Sequence, residues 1–389
     1  MRHIFILGRQ PELGVAELES LFGSDKITDF ENNLAILDYE GEINFINLGG
    51  SIKCATIMED IENLNINALP SKIENVCLEL EKTIPEGKII LGFSFYNIPS
   101  DIGSMTKLGI RIKKALSKKD RSIRFIPNKE LDLNSASVYH NKLTSEHGIE
   151  IIVAKIKNRI IIARTSYVQN IDAYRNRDQE RPFRDSKIGM LPPKLAQILI
   201  NLAKSNNKDP KTVLDPFCGT GVVLQEALLM GLDVIGSDLN PKMVDFSVKN
   251  TSWLKEQYPG VKDPTLIKEG DATITKWDNF DLVASESYLG ATYSYFPRDE
   301  ELAKEMSSVN NLLKNFFKNL HEQIDENTGI CVAVPAWNNK GNFMTLPLID
   351  QIEDMGYNFI NLKHSSAKHL FYSREDQIVV RQLLVIKRK

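Results

Sequence analysis

The stretch that most constrains this chain runs from Val213 through Leu214, Asp215, Pro216, Phe217, Cys218, Gly219 and Thr220 to Gly221. Two apolar residues end in an acid, and a glycine-bearing turn then feeds a helical pattern from Val222 to Ala227. A short apolar run of this kind reads as a buried parallel strand, here followed by a tight loop and a helix start. Gly219 and Gly221 free the backbone for unusual dihedrals and for close approach to a ligand. The helix start offers unpaired amides and a partial positive charge to an anionic group. Three further strands repeat the plan. One ends at Asp238, the next leads through Glu269 and Gly270 to Asp271 and Ala272, and the last opens onto Ser285, Glu286, Ser287 and Tyr288. Strands that deliver polar groups to one edge make one ligand crevice in a doubly wound α/β sheet. A dinucleotide site would carry G-x-G-x-x-G. Leu224 stands where the last glycine belongs, so a mononucleoside-like ligand fits better.

Charge adds little taken whole and more when mapped. The 389 residues carry a formal net charge of -3. Between Ser100 and Met190, however, 19 Lys and Arg face 10 Asp and Glu, which leaves the remainder distinctly acidic. Four scattered cysteines (Cys54, Cys77, Cys218, Cys331), with no C-x-x-C pair, argue for a reducing cytosol and against zinc or another metal. The apolar run at the start is too short for a signal peptide, and the longest apolar region, Ile149 to Ala163, is broken by Lys155, Lys157 and Arg159. A cytoplasmic protein without a membrane span is expected.

The chain divides into parts. Residues 1–64 alternate between strand and helix patterns and read as a small α+β module, with nothing catalytic in it. From 65 to 165 a second module begins with a helix near Pro70, where Ser71 and Glu74 have capping-box spacing. Its next helix, from Ile102 to Lys119, puts apolar residues on one face and Lys107, Arg111, Lys113, Lys114, Lys118 and Lys119 on the other. Arg124 and Lys142 follow. A charged helix face is usually only solvated, yet few acids interleave here, and a basic face suits phosphates. Polar residues 166–187 read as a linker, and residues 188–389 as the domain built on the glycine loop, closing with a helix at Leu346–Met355 and a strand at Val379–Ile386.

The D-P-F-C-G-T-G form at 215–221, with Asp238 and Asp271 behind it, resembles the S-adenosylmethionine-dependent methyltransferases that act on exocyclic amines of nucleobases. The run from Lys107 to Leu116, with Arg121–Phe125 and Leu133–Leu143, resembles the THUMP domain of tRNA-modifying enzymes. Together the parts resemble the THUMP-containing tRNA guanosine N2-methyltransferases of the position-10 type. The resemblance implies a C-terminal Rossmann-like methyltransferase sheet preceded by ferredoxin-like α+β and THUMP modules. It implies S-adenosylmethionine as cofactor, held by Asp215, Phe217, Gly219, Gly221, Asp238, Leu239, Asp271 and Ala272, with Met190 and Leu191 closing over its methionine end. It implies tRNA as partner, met by Lys107, Arg111, Lys114, Arg124 and Lys142, and a small activating subunit in some relatives.

One departure matters. The family carries D/N-P-P-Y/F after the fourth strand, whereas this chain has Ser285-Glu286-Ser287-Tyr288, without the prolines or the first acid. Tyr288 is expected to stack on the base, and Glu286, with Ser285, to act as hydrogen-bond acceptor for its amine. Two alternatives stay open: a DNA amino-methyltransferase, and a tRNA-binding protein without turnover. The target nucleotide, mono- or dimethylation and oligomeric state are not legible.

Overall fold

The structure is a computed structural model that describes residues 1–117, 121–184, 190–207 and 209–389. Lys118 and Lys119 of the expected basic face lie outside the described residues. The chain forms two compact units, one of Met1–Pro11, Asp25–Ile46 and Ser51–Ala173, the other of Glu12–Ser24, Asn47–Gly50 and Tyr174–Lys389.

In chain order the first elements are β1 (Arg2–Leu7), α1 (Pro11–Phe22), β2 (Ile27–Glu31), β3 (Leu34–Asp38), β4 (Ser51–Glu62), α2 (Leu69–Glu81), β5 (Ile89–Tyr96), α3 (Ile102–Ser117), β6 (Ile123–Phe125), α4 (Ser135–His140), β7 (Gly148–Ile156) and β8 (Arg159–Val168). The eight strands make one sheet in the order β2-β3-β1-β4-β8-β7-β5-β6. Segments 1–64 and 65–165 therefore share a sheet, joined where β4 pairs antiparallel with β8. At its centre a buried Lys53 ammonium donates to Glu150 (2.5 Å), Ser94 (3.2 Å) and the Leu133 carbonyl (2.6 Å), so that its charge is fully partnered. The capping box does not form. Pro70 sets the start of α2 two residues before Ser71, with Ala68 as an N-cap lacking a side-chain bond, and Glu74 instead pairs with Arg111 of α3 at 2.6 Å.

Helix α1 belongs to the second unit. Its Leu13 and Ala16 join the core formed around Leu195 and Leu199. Its buried Glu17 accepts from the Gly49 and Gly50 amides (2.9 and 2.8 Å) and from Asn201 Nδ2 (2.8 Å). Gly49 passes so near the Lys194 carbonyl that a Cβ would lie 2.0 Å from it, so only glycine fits there.

The remaining elements are α5 (Ile171–Arg175), α6 (Pro193–Ala203), β9 (Thr212–Asp215), α7 (Val222–Leu229), β10 (Asp233–Asp238), α8 (Pro241–Gln257), β11 (Leu266–Glu269), β12 (Leu282–Glu286), α9 (Asp299–His321), β13 (Gly329–Asn339), β14 (Asn342–Met344), β15 (Tyr357–Phe359), β16 (Phe371–Tyr372) and β17 (Val379–Arg388). Their sheet runs β11-β10-β9-β12-β13-β17-β15, with β14 on β13 and β16 on β17. The first five strands are parallel, and β17 is antiparallel to β13. Strand order reverses between β9 and β12, so the ligand crevice of such a sheet lies at their carboxyl ends. Two local expectations change. Ser285 and Glu286 end β12 instead of standing in a loop, because β13 offers them Val332 and Ala333 as ladder partners. The helix expected at Leu346–Met355 shrinks to a 3-10 turn at Pro347–Gln351, held where Asn310 Oδ1 accepts from the Leu348 amide at 2.8 Å. Among the described residues, no helix is long and apolar enough to cross a membrane.

Candidate functional site

The carboxyl ends of β9, β10, β11 and β12 bring together the residues that the sequence singles out. Gly221 is the N-cap of α7 with φ 81°, and a Cβ there would lie 2.7 Å from Ser247 Oγ. Left-handed backbone and close approach together require glycine at this turn. Asp238 fixes the loop: its carboxylate accepts from the Gly219 amide (2.9 Å) and the Asn240 amide (2.8 Å). A carboxylate offers about four lone-pair directions, so Asp238 keeps acceptor capacity after those two bonds. Burial raises its pKa.

Asp215 lies beneath the loop and is almost fully buried. Its Oδ1 accepts from the Phe217 amide (3.2 Å) and from Ser285 Oγ (2.5 Å). The Ser285 hydroxyl is thus committed to the strand beside it. Burial, with the nearby Asp238 and Glu286 charges adding to it, pushes Asp215 from an ordinary 3.8 up to about 7. An unfolded chain ionises this group from about pH 4, while the native carboxyl holds its proton to about 7. Between those values the native state binds more protons, so stability falls as pH rises across the window and is flat above it. Urea midpoints should drop from pH 5 to pH 8, and Asp215→Asn, which never ionises, should lessen that drop. Part persists, because burial also raises Glu17 to about 7. An undiminished drop in the variant would exclude Asp215 as the source.

Asp271 follows β11 and accepts from the Thr273 amide (2.8 Å) and hydroxyl (2.7 Å). Ala272 is turned into the core, and its carbonyl accepts from Asn319 Nδ2 at 3.0 Å. Leu239, 69% exposed, follows Asp238 directly, and Ile274, 73% exposed, lies three residues past Asp271, so an open apolar side chain stands near each acid in the chain. Phe217 packs edge-on against Phe316, Leu191 is buried against α6, and Met190 Sδ lies 3.4 Å from Arg181 Nη2. Tyr288 is 53% exposed just past β12.

Glu286 makes an ion pair with Arg381 of β17, whose guanidinium reaches it past the intervening β13. Burial raises the Glu286 pKa while Arg381 opposes the rise. Sequence reasoning missed Arg381, although an Arg-Gln pair inside the apolar run Val379 to Ile386 was a legible sign of a buried polar contact. It also missed Asn250, whose Nδ2 donates to the Phe183 and Thr220 carbonyls (2.8 and 2.9 Å) and whose Oδ1 accepts from the Phe183 amide (3.1 Å). One asparagine on a long polar helix gives no local signal.

In the first unit, Lys107, Arg111 and Lys114 lie on the exposed face of α3. Arg124 and Lys142 are exposed elsewhere in this unit. Phe125 of β6 packs under Gly109 of α3, so Arg124, its neighbour on an alternating strand, points to the other face, where Asn141 Oδ1 accepts from it at 3.2 Å. The α3 residues and Arg124 therefore lie on two faces of this sheet.

Residues 180–363 match the family described as UPF0020, an RMKL-like methyltransferase domain. The tRNA (guanine(10)-N2)-dimethyltransferase of Methanothermobacter thermautotrophicus is 31% identical over 183 residues, 47% of this chain and 49% of its own length. The protein of the same name from Pyrococcus abyssi is 30% identical over 204 residues, 50% of this chain and 52% of its own. The chain thus spans about half the length of the curated relatives it matches. Among solved structures, that of TrmN from Thermus thermophilus aligns over 100% of both chains with a TM-score of 0.53 at 13% identity, which is a likeness of fold. Glycine loop, carboxyl-edge acids and strand order agree with the match of residues 180–363 to the RMKL-like methyltransferase domain.

Proposed function

We propose that this chain transfers methyl groups from S-adenosylmethionine to N2 of a guanosine in tRNA, at position 10. The observation that carries the reading is the glycine loop and acids at the carboxyl edge of the sheet, set beside an acidic side chain and an open aromatic at the end of β12. The residues suit the donor. The glycine loop leaves room for a ligand against its backbone, Asp238 retains lone pairs for ribose hydroxyls, and Leu239 and Ile274 offer apolar contact beside the two acids. Asp215 supports the loop from below instead of facing solvent.

The chemistry asked of the chain is specific. An exocyclic amine on guanine is a poor nucleophile, because its lone pair is delocalised into the ring. Bound S-adenosylmethionine supplies the electrophilic methyl. Glu286 accepts a hydrogen bond from the amine, stabilises the positive charge that develops on the attacking nitrogen and takes the proton that the methylated nitrogen gives up. Tyr288 stacks on the extruded base and aligns it. Arg381 holds the Glu286 carboxylate in place and favours its ionised form. Ser285 contributes through Asp215, since its hydroxyl is used there.

The first unit, read as ferredoxin-like and THUMP-like modules, supplies RNA affinity through Lys107, Arg111, Lys114, Arg124 and Lys142. Replacing Lys107 and Lys114 together by alanine should weaken tRNA binding and lower the slope of log K against log salt by about two. An unchanged slope, measured by filter binding, would remove α3 from the interface. Four buried free cysteines suit a reducing cytosol. Labelled methyl transfer to unmodified tRNA and to duplex DNA, with nucleoside analysis and with and without a small activating subunit, tests the whole reading. N2-methylguanosine in tRNA supports it. Methylated DNA with untouched tRNA, or no transfer under any condition, overturns it.

A further inference from the structure

Among the described residues, Arg181 is a buried cation with no hydrogen-bonded anion. It follows the helical segment that ends at Glu180, its backbone is extended (φ -60°, ψ 135°), and its side chain is 2% exposed. One nitrogen, Nη2, lies 3.4 Å from the thioether of Met190, a weak acceptor. Among the described residues, Nε and Nη1 have no hydrogen-bond acceptor. Burial lowers its pKa, and the Asp178 and Glu226 charges oppose that only in part.

Arg177, four residues earlier, shows what a satisfied arginine looks like in this region. Its Nε and Nη2 donate to Glu226 at 2.6 and 3.2 Å, and its guanidinium stacks over Tyr174. Glu226 also accepts from Gln197 at 3.0 Å, so its carboxylate is already engaged by other donors. Leaving a guanidinium buried and unpaired costs several kcal/mol, and a chain tolerates that where a ligand provides the counter-charge.

The position of Arg181 says which ligand. Two residues on, Phe183 is bonded through both its amide and its carbonyl to Asn250, and the same Asn250 holds the Thr220 carbonyl of the glycine loop. The segment that carries Arg181 is therefore laced, through Phe183 and Asn250, to the loop at the start of α7, and Arg181 itself meets Met190. We propose that the Arg181 guanidinium binds the carboxylate at the amino-acid end of the methyl donor. The proposal rests on the S-adenosylmethionine reading above. A planar fork of N–H donors matches a carboxylate bidentately, and such charge-assisted bonds are roughly twice as strong as neutral ones. Met190 Sδ then marks the place that a carboxylate oxygen takes.

The test compares two ligands by calorimetry on the full chain. S-adenosylhomocysteine carries the carboxylate, whereas 5′-methylthioadenosine has the same nucleoside and thioether without the amino-acid end. Arg181→Met should bind S-adenosylhomocysteine about 30- to 150-fold more weakly and 5′-methylthioadenosine within about twofold of wild type. Arg181→Lys should recover part of the loss. The melting midpoint of ligand-free Arg181→Met should equal or exceed that of wild type, because an unpaired buried charge has gone. Equal affinity of wild type and Arg181→Met for S-adenosylhomocysteine overturns the proposal, as does parallel loss of both ligands. A fall in tRNA affinity alone also overturns it, by making Arg181 a phosphate contact. Failure of wild type to bind either nucleoside would instead bring down the donor reading itself.

Discussion

Glu286→Gln should lower kcat for tRNA methylation by 10²- to 10⁴-fold, the range for a positioned acid or base, with S-adenosylhomocysteine affinity within about twofold of wild type. The carboxylate ends β12 where the sheet order reverses, and its charge is held by Arg381. Glutamine keeps size and a hydrogen bond to Arg381 but cannot take the proton of a methylated amine. Removal of the side chain altogether, as in Glu286→Ala, would leave the nearly buried Arg381 unpaired and confound catalysis with folding. Arg381→Met separates the two roles. Without its partner, Glu286 ionises less readily, so the acidic limb of the kcat profile should move to higher pH. Burial already pushes the carboxyl upward, and the guanidinium opposes that push. Single-turnover rates across pH 5–9 check this. An unshifted limb would mean that Arg381 is merely structural, and full activity of Glu286→Gln would remove the carboxylate from the reaction.

The largest stability effect should come from Glu226→Ala, at about 3–5 kcal/mol lost. Glu226 is fully buried on α7 and accepts from both Arg177 and Gln197. Truncation deletes the acceptor and strands the Arg177 charge in the interior. The desolvation of that cation, more than the loss of the ion pair, sets the magnitude. Arg177→Met combined with Glu226→Met should therefore recover most of the loss, since replacing a whole buried pair by apolar groups of similar volume is often neutral. Urea unfolding of both variants measures this directly. A double variant as unstable as Glu226→Ala would show that the packing of α7, and not the stranded charge, carries the cost.

Much of the second unit could be read from residues in order. Strand ends are marked by Asp215, Asp238 and Asp271 because an apolar run followed by an acid and a turn is a local pattern, and the carboxyl-edge rule then assembles them. The helix spacing of Ile102, Met105, Leu108, Ile112 and Leu116 foretold the buried face of α3, of which Met105, Leu108, Ile112 and Leu116 enter the core. Failures were also local in cause. Ser71 and Glu74 had the right spacing for a capping box, but Pro70 nucleated the helix earlier. Ser285 and Glu286 looked like loop residues because polar side chains hid their ladder partners in β13.

What the sequence by itself determined is therefore the doubly wound sheet, its crevice and the acids on its rim, since these follow from periodicity and from turn chemistry within short windows. Tertiary structure alone decided the rest. It drew α1 into the second unit through Glu17 and Gly49, set Arg124 on a face away from α3, set Arg381 against Glu286, and left Arg181 without a hydrogen-bonded anion among the described residues. Each of these depends on which distant strand or helix lies alongside, and on what burial does to a charge once it is there. Neither quantity exists until the chain has folded.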